Sequence, residues 1–83
     1  MRNLKLWPRE KAVARCILSG YSNERMAKEL GICRDVVKTY VFNLYNKTGQ
    51  DDRIGLVTFL LYNPWELAQV MEVDYHVGAA LVA

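Results

Sequence analysis

Leu30-Gly31-Ile32-Cys33-Arg34-Asp35-Val36-Val37-Lys38 decides how this chain is read. Leu30 closes one run of helical spacing and Val37 belongs to another. Gly31 supplies a residue that can end a helix in the left-handed conformation without a Cβ penalty. Ile32 follows as an apolar plug for the turn. Two helices that cross steeply within three or four residues need such a glycine-containing connection, the mark of a helix-turn-helix.

Downstream, Val37, Val41, Leu44 and Thr48 recur at helical spacing and form the inward row of a third helix predicted over 34–47. Asp35, Lys38, Thr39, Phe42 and Asn46 then fall on its outward face. Gly49 ends it. Upstream, Ser22-Asn23 is an N-cap signal, and Met26, Ala27 and Leu30 give a second helix over 23–30. Pro8 suits the first position of a helix over 8–19, with Val13, Ile17 and Leu18 on its apolar face and Gly20 as its stop. Leu6 stands where a hydrophobic staple would.

Past Gly49, Asp51 or Asp52 can cap a fourth helix over 53–62. Its stretch from Ile54 to Tyr62 has too many apolar positions for one stripe, so it must bury more than one side. One side meets the domain core; the other needs a second subunit or the C-terminal segment. Val57, Leu60 and Leu61 are the residues expected at a contact between two copies. Asn63, Pro64 and Glu66 read as N-cap, N1 and N3 of a fifth helix over 64–73, with Leu67, Val70 and Met71 as its apolar face. That helix either extends the contact or covers the fourth helix within one subunit. The tail over 74–83 is weakly patterned. The expectation is an all-α fold: a four-helix helix-turn-helix domain over 1–62, with a helical extension of the same domain and a tail over 63–83.

Eighty-three residues suffice for one small domain whose core is modest. The 52% hydrophobic content is high for that size and fits burial against a second copy. The longest apolar stretches, 54–62 and 77–83, fall short of the roughly 20 residues that span a bilayer. The N-terminus has no apolar signal-peptide core, so a cytoplasmic protein is expected, without membrane contact. Net charge is +2 but uneven. Residues 1–50 carry ten Lys and Arg against four Asp and Glu, a net +6; residues 51–83 carry one against five, a net −4. That asymmetry suits one part facing a polyanion and another facing away, with chance patterning of a solvated surface as the alternative.

Cys16 and Cys33 match no zinc spacing, and His76 alone cannot complete a site, so no metal or other cofactor is expected. Cys16 sits on an apolar helix face. Cys33 stands at a helix start, either as a small turn residue or as a redox-sensitive thiol. Trp65 reads as a core or interface filler, and Arg53 with Glu10 as an ion pair or as two solvated charges. Nucleophile sets, paired carboxylates and Gly-rich phosphate loops are missing, so no enzyme is expected.

The spaced set Leu6, Pro8-Arg9-Glu10, Gly20, Ser22-Asn23, Ala27, Leu30-Gly31-Ile32, Val37-Lys38, Asn43, Lys47, Gly49 and Arg53 resembles the LuxR-type (GerE-like) helix-turn-helix domain. The register holds without a gap over roughly residues 6–60. The resemblance implies a DNA-binding domain of transcriptional regulators whose third helix enters the major groove and whose fourth commonly forms the dimer contact. If Met1 is the native start, the chain looks like a small stand-alone member, since nothing resembling a receiver or ligand-sensing domain precedes the motif. Lys38 matches the family's DNA-contacting lysine, Thr39 a neighbour that faces base edges, and Lys47 a basic position near the helix end. Arg34, Asn23 and the start of the second helix are phosphate candidates. Asp35 and Phe42 share the outward face. The chain departs from the family at Trp7 and Cys33, which replace hydroxyl caps, and at Val36, Tyr40 and Phe42, which make the outward surface more apolar. Phe42 can pack on thymine methyls, anchor a protein partner, or lie partly buried against Tyr45 or another local side chain. The expected function is therefore a sequence-specific, homodimeric regulator that binds double-stranded DNA. The alternative is a protein-interaction module on the same scaffold, an adaptor or antagonist of a regulator.

Overall fold

The computed structural model describes residues 5–71. They form five helices: α1 (Pro8–Leu18), α2 (Asn23–Leu30), α3 (Arg34–Thr48), α4 (Arg53–Leu61) and α5 (Pro64–Val70). No strand occurs among the described residues. The all-α expectation is met, and each helix begins at the expected residue. The ends shift slightly: α1 and α4 stop one residue early, and α3 gains Thr48. The fifth helix was expected to reach 73 but stops at Val70, with Met71 as its C-cap. Residues 72 and 73 and the tail over 74–83 lie outside the described residues.

Local chemistry explains these bounds. Gly31 and Gly49 are the left-handed C-caps of α2 and α3, at φ of 68° and 74°. Ser22 Oγ accepts from the Arg25 N–H at 3.1 Å, and Asp52 Oδ1 from the Gly55 N–H at 2.7 Å, so α2 and α4 are properly capped. Trp7 and Cys33 supply no side-chain cap. For α1 the loss is half repaired, because Glu10 Oε1 accepts from the Trp7 N–H at 2.9 Å. Asn63 does not cap α5 as expected: its Nδ2 donates to the Phe59 carbonyl at 2.6 Å, back into α4.

The core lies where α1, α3 and α4 meet. Val13 and Ile17 of α1, Met26 of α2, Val37 and Leu44 of α3, and Leu56 and Leu60 of α4 are all buried. The inward row of α3 is as read, since Val37, Val41, Leu44 and Thr48 are its buried residues. Leu6 joins this core rather than stapling α1, because the fourth residue of that helix is Lys11. Burying such aliphatic side chains contributes about 1.5–3 kcal/mol each, and this supplies the driving force for a chain too small for redundancy.

α5 packs against α1 and α4 of its own chain. Val70 is fully buried there, and Arg15 Nη1 donates to the Val70 carbonyl at 2.7 Å. Leu6 N–H donates to Gln69 Oε1 at 2.9 Å, joining the segment before α1 to α5. Trp65, expected as a core or interface filler, does not fill the core of its own subunit: it is 76% exposed.

Candidate nucleic-acid interface

α3 presents its polar side away from the core because its apolar residues repeat on the other. Arg34, Asp35, Lys38, Thr39, Phe42 and Asn46 are exposed. The helix runs for 15 residues, ample to lie along a groove. Asp35 in its first turn complements the helix dipole. Lys38 has no ion-pair or hydrogen-bond partner among the described residues. Thr39 Oγ1 donates to the Asp35 carbonyl at 3.2 Å, so its hydroxyl is occupied by the helix and its methyl is the group it offers. Phe42 is 62% exposed at the centre of the face, and Val36, in the first turn of α3, is exposed as well. Most of the Phe42 side chain is therefore open rather than covered by Tyr45 or another local side chain.

The other expected residues lie elsewhere. Asn23 Oδ1 accepts from Arg53 Nη2, and Arg53 Nη1 donates to the Tyr21 carbonyl at 2.8 Å. Arg53 thus ties α4 to the start of α2 and forms no pair with Glu10. The acidic partner goes instead to Lys47, whose Nζ lies 2.7 Å from Glu10 Oε1 and donates to the Lys5 carbonyl at 2.8 Å. Glu10 is 2% exposed, so this pair is an internal strut between α1 and the end of α3. Lys47, expected on phosphate, has its charge engaged by Glu10, although its side chain stays partly open to water. Glu24 stands in the first turn of α2, where its charge opposes an anion at that terminus.

Leu60 was expected at a contact between copies and is instead 1% exposed, taken up by the core of its own subunit. Residues 56 and 60 are one helical turn apart and share the inward side. The exposed apolar side of α4 is offset from them: Ile54 is 79% exposed and Leu61 58%, with half-buried Val57 between. Ile54 was missed, although its spacing to Val57 and Leu61 could have identified it. Cys33 is exposed and Cys16 half-buried; burial, then the Glu29 carboxylate, push the Cys16 thiol up.

The family of bacterial regulatory proteins called luxR, or GerE, matches residues 5–60, more than half of the chain. The chain belongs to the LuxR family. No solved structure matches it significantly. The LuxR-type region stops inside α4, so α5 lies beyond it. Membership makes this a helix-turn-helix domain of DNA-binding regulators. Among the described residues, no helix is long and apolar enough to cross a membrane.

Proposed function

We propose that this LuxR-type protein is a sequence-specific transcriptional regulator that docks α3 in the major groove of duplex DNA as a homodimer, in the cytoplasm. The observation that carries this reading is the outward face of α3, where an unpartnered Lys38 stands among exposed residues of a family that binds DNA. Lys38 would meet guanine O6/N7 or phosphate, the Thr39 methyl and Phe42 ring a thymine methyl, and Asp35 a cytosine amino group. Arg34, exposed at the start of α3, would hold a phosphate at the near end of the helix. Lys47 acts indirectly, by fixing the far end of α3 on α1.

The dimer reading rests on the spacing of Ile54, Val57 and Leu61. A two-fold axis between residues 57 and 58 would set Ile54 of one protomer against the partner's Leu61, and the reverse. A closed dimer requires such a self-complementary stripe. Two recognition helices would then address half-sites about one duplex turn, roughly 34 Å, apart.

Selection of bound duplexes from a random pool, followed by polarisation titration, tests the reading. A two-half-site motif is expected, with Lys38→Ala and Thr39→Ala each weakening specific binding several-fold and leaving the fold intact. Log affinity should fall by about 0.9 per log unit of salt for each phosphate neutralised. Undiminished binding in both variants would remove α3 as the reading face. Absence of binding to any duplex at low salt would favour the protein-interaction module, with Phe42 as its anchor.

A further inference from the structure

We propose that the DNA footprint continues past α3 onto the first turn of α1, where Trp7 and Arg9 hold the phosphate backbone. The inference rests on α3 facing DNA. Trp7 and Arg9 line a cleft whose other wall is the flank of α3, formed by Tyr40, Asn43, Asn46 and Lys47. Asn46 belongs both to this cleft and to the outward face, so the two surfaces are continuous.

Trp7 has no local task that requires an indole. It occupies the N-cap of α1, yet its side chain has no acceptor and forms no cap bond. It remains 59% exposed, which is unfavourable for so large an apolar group unless something covers it. Lys47 Nζ lies 5.8 Å from the ring, but that charge is already neutralised by Glu10. Arg9 is exposed and has no partner among the described residues.

The electrostatics select the occupant. Glu10 is the only carboxylate lining the cleft, and it is buried and paired. The exposed charge there is the Arg9 guanidinium, whose planar donors match a phosphate. The indole N–H is a donor suited to a second phosphate oxygen, and its flat face can cover a sugar. A duplex seated on α3 carries such a row of phosphates along each edge of its groove. The cleft thus supplies a cation on the flank where Lys47 cannot.

The full chain contains two tryptophans, Trp7 and Trp65, which permits a direct test. Trp65→Phe leaves Trp7 as the only indole, and Trp7→Phe leaves Trp65 on α5. Each variant is titrated at low salt with a fluorescently labelled random-sequence duplex of about two helical turns. Label anisotropy reports binding, and indole emission reports the local surroundings. Trp7 emission should change over the concentration range in which anisotropy rises, while Trp65 emission stays flat. Arg9→Gln should reduce the slope of log affinity against log salt by about 0.9, the loss of one phosphate contact. Rising anisotropy with constant Trp7 emission and an unchanged slope would overturn this proposal and leave the α3 reading standing. No anisotropy change in either variant or in the unaltered chain would remove both.

Discussion

Glu10 and Lys47 show how much a single side chain can decide in a domain this small. Glu10 receives the Trp7 N–H and the Lys47 ammonium on the same oxygen while almost wholly buried. Removing Lys47 would leave that carboxylate buried without its counter-charge. Lys47→Met should therefore cost about 3 kcal/mol, the low end for breaking a buried pair because Lys47 is itself partly open to water. Urea denaturation would measure it, and a loss below about 0.5 kcal/mol would show that the pair is solvated. The partner of Glu10 was not legible in the sequence. Two basic residues, Lys47 and Arg53, follow at long range, and only the packing of α3 on α1 selects between them. Gly31, Gly49, Ser22 and Asp52 were legible because a cap or a left-handed turn is settled within four residues of itself.

Among the helices, α3 and α4 contrast in how far pattern alone reaches. The rows of α3 are separated by polarity, so its inward and outward faces followed from spacing. α4 is apolar nearly all round, and spacing cannot say which apolar side meets the core. Spacing alone thus puts Leu60 on the contact side, whereas the fold buries it and turns Ile54 outward. The assignment is testable by pairing neighbours. Leu60→Ala removes a core side chain and should cost about 2–5 kcal/mol in stability. Leu61→Glu lies on the exposed stripe and should leave stability within about 0.5 kcal/mol per protomer, measured on the monomer. It should also shift light scattering from dimer to monomer. A dimer that survives Leu61→Glu and Ile54→Glu together would place the contact elsewhere. The fit of α5 against α1 was equally hidden, because the spacing of its apolar residues would suit a subunit interface as well as an intramolecular one.

The molecule as a whole extends past the region its family shares. The match ends at residue 60, yet Val70 is fully buried and held by Arg15. A chain ending after Asn63 should lose at least about 2 kcal/mol, the burial of Val70 alone. Its thermal transition should fall accordingly, and an unchanged midpoint would show α5 to be an ornament. The charge asymmetry has a place in the same design: the net-basic first part contains α1 to α3, and the net-acidic part follows α3.

The bond from the Leu6 N–H to Gln69 also has a kinetic meaning. It joins positions 63 apart in the chain, so the fold is a closed ring fastened at a clasp. Closing so long a loop carries more entropy than docking α2 on α3, which are near neighbours in sequence. The clasp should consequently be late to form and early to part, with the Leu6 amide exchanging ahead of those in α3. It also brings the two ends of the described segment side by side. A permuted chain, joined there by a short linker and opened between Gly49 and Asp52, would keep every helix intact.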